Sequence, residues 1–216
     1  MTTSTEYIGR QNDLTSRLNK HLQKLTGLNN DFASSITETD LLDFKAVLSD
    51  INNLLTLKMT DAAVIWLCNY FEFDNVCKMA IFAKTNSAKP NSNGYDIHIT
   101  ESEKIIAEVK CIRPVNNGDK FGAAQYDSIL NDIIKLKKGK GKVDTSSYYK
   151  FLFLIDLGEQ TDKALFDFLK LSKTSKNKPL RAERQEVKKN ALLLFDSVKK
   201  RDLSVDKIYI KTIKLN

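Results

Sequence analysis

Between residues 93 and 111 the chain reads NGYDIHITESEKIIAEVKC, and no other stretch limits its possible folds as tightly. Two short strands are predicted here, joined by the polar turn 101–104. Along residues 94–100 the alternation puts Asp96 and His98 on one face and Ile97 and Ile99 on the other. Along residues 105–110, Ile105, Ala107 and Val109 share a face, and Ile106, Glu108 and Lys110 take the opposite one. A strand rises about 3.3 Å per residue, so Glu108 and Lys110 should stand about 6.6 Å apart along one edge. If the strands close as a hairpin, Asp96 joins them.

Two carboxylates and a lysine converging on one point have a specific chemical use. Carboxylate oxygens are hard ligands that suit Mg²⁺, an ion that binds through one or two carboxylates plus substrate phosphate and keeps water positions open. A lysine beside it can polarise the attacking water and meet the charge that develops on phosphorus. The chemistry indicated is phosphodiester hydrolysis.

Asp96, followed after eleven residues by Glu108-Val109-Lys110, resembles the signature of the PD-(D/E)XK nuclease superfamily, which includes most type II restriction endonucleases. The resemblance implies an α/β fold with an αβββαβ core and a mixed central sheet, the aspartate near the start of the second core strand and the E-x-K on the third. It further implies Asp96, Glu108 and the Val109 carbonyl as Mg²⁺ ligands, with Lys110 as the lysine that positions water. Cleavage would leave 5′-phosphate and 3′-hydroxyl ends. The proline that commonly precedes the aspartate is Tyr95 here. The competing reading is an exposed edge hairpin with a solvated charged face.

The rest of the chain can be set against that core. With 216 residues, 42% hydrophobic and 28% charged, it suits one globular domain, or one with a helical appendage. Residues 1–58 read as a helical segment packed on a core of residues 59–216. The leucines Leu14, Leu18, Leu22 and Leu25 predict a helix ended by Gly27, and a second helix is expected over 39–57. Thr60 is expected to cap a third helix, 61–72, and residues 76–83 (VCKMAIFA) to form the first strand. After the Asp96 and Glu108 strands, Asp119 would cap a helix over 120–138. Residues 150–156 (KFLFLID) read as a buried central strand, 161–171 and 183–200 as helices, and 207–213 as the last strand.

Cys68, Cys77 and Cys111 lack metal-ligand spacing and read as reduced thiols of a cytoplasmic protein. No apolar run approaches the ~18 residues needed to span a bilayer. Residues 1–78 carry seven Lys/Arg against ten Asp/Glu, a net of −3, so with +7 overall residues 79–216 carry +10. Double-stranded DNA is the partner this implies. Its phosphates are expected to meet Lys84, Lys89, Lys138, Lys140, Lys142, Lys173, Lys176, Arg181 and Arg184. Lysines 137, 138, 140 and 142 alternate with glycines, but G-x-x-x-x-G-K-[ST] is absent, so no nucleotide cofactor is expected.

Three further residues are weighed. Glu72 could add an acidic metal ligand, as in some members of the superfamily, or be a solvated helix end. Gln125 resembles a glutamine of the exonuclease branch, which expects a tyrosine four residues later where Ile129 stands, so an endonuclease is favoured. His98 could bind phosphate or serve as a hydrogen-bonded structural residue. A sequence-specific, homodimeric restriction enzyme is the leading expectation. A structure-specific repair or recombination nuclease and a non-catalytic nucleic-acid-binding module are the alternatives.

Overall fold

The computed structural model describes residues 4–87, 94–115, 118–140, 143–170 and 185–215. The chain forms two compact units, Met1–Ile51 and Asn52–Asn216. The first holds helix α1 (Ser4–Thr26) and the start of α2 (Glu38–Tyr70). Gly27 ends α1 as expected, with φ +72° and its N–H donating to the Gln23 carbonyl at 2.9 Å. Asn19 Oδ1 accepts from the Phe32 and Ala33 amides at 2.8 and 3.3 Å and so pins the connection. Thr37 and Asp40 then start α2 reciprocally: each backbone N–H donates to the other's side chain, at 2.8 and 3.2 Å.

Two helices were expected between residues 39 and 72, yet α2 is continuous. Thr60 is not a cap, because its hydroxyl donates back to the Thr56 carbonyl at 2.9 Å within the helix. No glycine or proline interrupts the stretch, so nothing stops the helix there. It ends instead where Glu72 takes φ +57°, with the Phe73 N–H donating to Cys68 O and the Glu72 N–H to Asn69 O. Those two bonds make a Schellman cap.

The predicted first strand, 76–83, is also a helix: α3 (Asn75–Ser87). Asp74 Oδ1 accepts from the Cys77 N–H at 2.8 Å and starts it. Val76 and Met79 stay exposed while Ile81 is buried, a helical and not a strand-like distribution. The αβββ opening of the expected core therefore loses its first strand.

The second unit carries a five-stranded mixed sheet in the order β1-β2-β3-β5-β4. The strands are β1 (Ile97–Ile99), β2 (Ile105–Lys110), β3 (Tyr149–Ile155), β4 (Ala191–Leu193) and β5 (Ile208–Ile213). β1 is antiparallel to β2, and the remaining pairs are parallel. β4 and the helical residues 185–189 replace the single helix expected over 183–200. There Ala191 pairs with Ile208, and the edge of β5 captures residues that would otherwise extend the helix.

Each face of the sheet is covered. On one, Met59, Ala63, Val64 and Leu67 of α2 and Ile81 of α3 pack on Ile97, Ile99, Ile105, Ala107, Val109, Phe151 and Phe153. On the other, Ile129, Ile133 and Leu136 of α4 (Ala123–Lys138) and Leu165 and Phe168 of α5 (Glu159–Leu169) pack on Ile106, Leu152, Leu154, Ile208 and Ile210. The predicted alternation in β1 and β2 is present: Ile105, Ala107 and Val109 face α2, and Ile106 faces α4. Among the described residues, no helix is long and apolar enough to cross a membrane.

Candidate active site

The antiparallel register Ile97↔Ala107, continued by one residue, sets Asp96 across from Glu108. Both lie on the α4 side of the sheet, because their neighbours Ile97 and Ala107 lie on the α2 side. Asp96 Oδ2 accepts the Val109 N–H at 2.7 Å, which fixes the carboxylate beside the end of β2. Glu108 is only 4% exposed. Lys110, two residues on, shares its face.

The sequence did not single out Asp132, the residue that completes the centre. It is 1% exposed on the buried stripe of α4, between Ile129 and Ile133. Lys110 Nζ lies 2.8 Å from its Oδ2, and Lys135 Nζ donates to its Oδ1 at 3.1 Å. An acid inside an otherwise apolar 3.6-residue stripe was the available signal.

Lys140, expected on a DNA-facing loop, turns inward instead. Its Nζ lies 2.5 Å from Glu108 Oε1, donates to the Gly94 carbonyl at 2.6 Å and stands 5.1 Å from the Tyr95 ring centroid. Tyr95, buried, anchors this loop through its hydroxyl, which accepts the Lys140 N–H at 3.0 Å and donates to the Lys135 carbonyl at 3.3 Å. Tyr95 thus ties β1 to the end of α4.

Burial pushes the Glu108 carboxyl up to about 7, and the neighbouring Asp96 and Asp132 charges push the same way while Lys140 opposes them. Glu108 Oε1 and Asp132 Oδ2 are buried and have no hydrogen-bond partner. Each instead meets an ammonium: Glu108 Oε1 that of Lys140 at 2.5 Å, and Asp132 Oδ2 that of Lys110 at 2.8 Å.

No family model matches this chain, and no curated protein or solved structure matches it. The reading of the site therefore rests on its own chemistry.

Among the described residues, no group of three or more His, Cys, Asp or Glu side chains is arranged to hold a metal ion. The donor set nevertheless fits a small hard cation. Asp96 and Glu108 stand side by side next to the Val109 backbone, and the buried Glu108 Oε1 already takes one cation, the Lys140 ammonium at 2.5 Å.

The other candidates fall elsewhere. Glu72 is exposed at the end of α2, on the opposite side of the sheet, and serves as a helix cap instead of a ligand. Gln125 is taken up by structure: its Oε1 accepts the Gly122 N–H at 2.9 Å, and its Nε2 donates to the Arg113 carbonyl at 2.7 Å. It, and not Asp119, supports the start of α4. Lys84 pairs with Glu101 at 2.8 Å by the hairpin turn, the far end of β1 from Asp96. The pairing holds the Glu101 carboxyl down at about 2. His98 faces the Tyr148 hydroxyl at 3.3 Å, and its pKa is lowered chiefly by burial, as suits a structural histidine. Lys138 lies exposed in the last turn of α4. Lys89, Lys142, Lys173, Lys176, Arg181 and Arg184 lie outside the described residues.

Proposed function

We propose that this chain is a Mg²⁺-dependent endonuclease of the PD-(D/E)XK type that hydrolyses phosphodiester bonds of double-stranded DNA, a sequence-specific type II restriction enzyme working as a homodimer. The observation that carries the reading is the meeting of Asp96 and Glu108 across the β1-β2 pair, with Lys110 on the same face two residues beyond.

Asp96 and Glu108, with the Val109 carbonyl, would hold the ion, which when bound supplies Lewis-acid polarisation of the phosphate and its water. Asp96 is pre-set for this by the Val109 N–H, which orients the carboxylate. Lys110 keeps its ammonium at the edge of the centre through Asp132 and is placed to hold the attacking water or to stabilise the extra negative charge as phosphorus becomes five-coordinate. The low exposure of Glu108 and Asp132 excludes water and strengthens these charge interactions. The positive excess of residues 79–216 supplies affinity for the phosphate backbone.

Incubating the protein with mixed plasmid and viral duplexes tests the reading. Discrete fragments in Mg²⁺ and intact DNA in EDTA are expected, and intact DNA in both would overturn it. One observation favours a second reading, a non-catalytic nucleic-acid-binding module: Lys140 and Lys110 are both paired to the carboxylates of the centre. Salt-sensitive binding with no metal-dependent cutting would select that reading.

A further inference from the structure

We propose that Lys140 is a built-in cation that occupies the carboxylate centre and is exchanged for the divalent metal ion when the site is loaded. The inference rests on reading Asp96 and Glu108 as metal ligands. It concerns what stands in their way.

The ammonium of Lys140 takes one carboxylate oxygen, Glu108 Oε1 at 2.5 Å, and one backbone carbonyl, Gly94 O at 2.6 Å, and lies 5.1 Å from the centroid of the Tyr95 ring. A carboxylate oxygen with a carbonyl oxygen is also what a hard divalent cation seeks. Two cations at neighbouring points of one buried carboxylate repel strongly in a low-dielectric site, so Lys140 and a metal ion on Glu108 exclude each other.

The placement of Lys140 is built and not incidental. Gly139 turns the chain back at the end of α4 with φ +89°, and a Cβ there would lie 2.5 Å from the Val143 carbonyl oxygen. The Tyr95 hydroxyl then fixes the Lys140 backbone N–H at 3.0 Å. The backbone anchor fixes where the side chain starts, and its four-carbon stem carries several rotatable bonds through which the ammonium can be redirected. That ammonium is held by the Glu108 charge, the Gly94 carbonyl and the Tyr95 ring, all of which a cation of higher charge density at Glu108 competes with.

Lys110 does not play this part. Its partner is Asp132 on α4, which Lys135 also holds, and that pairing survives when Glu108 changes partner. Exchange therefore releases one lysine of the centre and leaves the other in place. The released ammonium would lie at the rim, where a DNA phosphate takes the charge that Glu108 gave up.

The test needs no DNA. Mn²⁺ binding to the full chain is measured by calorimetry for the wild type, Lys140→Met, Lys140→Arg and Glu108→Gln, with the shift of melting temperature on adding Mn²⁺ as a second readout. Lys140→Met should bind Mn²⁺ about tenfold more tightly, the factor expected if the lysine holds the site nine-tenths of the time, and should show the larger melting shift. Lys140→Arg should bind no more tightly than wild type, and Glu108→Gln should remove the site.

Equal or weaker binding by a folded Lys140→Met would overturn the exchange while leaving the metal reading intact. Absence of Mn²⁺ binding in every form would overturn both. Tenfold tighter binding without any DNA cleavage would support the exchange and count against the nuclease reading alone.

Discussion

At the scale of single residues, Glu108 is the costliest feature of the molecule. A carboxylate taken out of water beside two other acids is held with a folded-state pKa of about 7, above its ordinary 4.5. The charged and titratable groups around it are Asp96, Asp132, Lys135 and Lys140, with Lys110 alongside on β2. Because the folded state binds the extra proton, stability is full below pH 4.5 and is lost as pH rises through about 7. Relative to wild type, metal-free Glu108→Gln should therefore gain stability across that window, by up to about 3 kcal/mol, and hold a constant difference above it. Denaturant melts at a series of pH values would show this, and a difference independent of pH would contradict it. Glu72 offers a second case. It sits in the left-handed region at a helix C-terminus, where a glycine is unstrained and a negative charge is disfavoured. Glu72→Gly should stabilise the protein by roughly 0.5–1 kcal/mol in a thermal melt, whereas destabilisation would contradict its role as a cap. Asp96, Glu108 and Lys110 were legible in the sequence because a strand alternates with a period of two, and charges on such a strand declare their face. Asp132 left only its break in the apolar stripe of α4, and the inward turn of Lys140 left none, since a long-range ion pair has no local periodicity.

Among the elements, β1, β2, β3, α4, α5 and β5 stand close to where apolar patterning put them. One misreading took Thr60 for a cap and split α2, and the others came from short apolar runs. VCKMAIFA fits strand and helix equally well, and the cap at Asp74 decides for helix. Residues 191–193 turn to strand because β5 offers an edge to pair with, which nothing local announces. Among the described residues, the long α2 carries a run of exposed apolar side chains. Leu41, Leu42, Phe44, Val47, Leu48, Ile51, Leu54, Leu55 and Leu57 are 36–66% exposed. Leu41, Phe44, Leu48, Ile51 and Leu55 follow the 3-4 spacing of a coiled-coil seam. Nine such side chains, about half exposed, offer roughly 800 Å² per copy, the share each partner contributes to a stable interface. A second copy of the chain is the occupant that the homodimer reading requires. Leu48→Glu with Ile51→Glu should turn a dimer into a monomer in sedimentation equilibrium while leaving the melting of the sheet unit near wild type. A wild-type chain that sediments as a monomer at micromolar concentration would contradict this seat.

On the scale of the whole molecule, the sheet separates two different surroundings. The side covered by α2 and α3 is mainly apolar packing, with Lys211 paired to Asp196 and 5.6 Å from the Trp66 ring centroid, and the side covered by α4 holds three carboxylates and three lysines at the end of the β1-β2 pair. The positive excess of residues 79–216 surrounds that centre in sequence. A site of this kind separates binding from chemistry, because backbone phosphates are held by many charges and the reaction by few. The most direct measurement compares Lys110→Ala with wild type on one duplex substrate in Mg²⁺, recording cleavage rate and DNA affinity from the same preparation. Cleavage should fall by at least about 100-fold, as for loss of a single charge-stabilising group, with affinity within about threefold of wild type. Cleavage at the wild-type rate by the folded variant would contradict the assignment of Asp96, Glu108 and Lys110 as the hydrolytic centre.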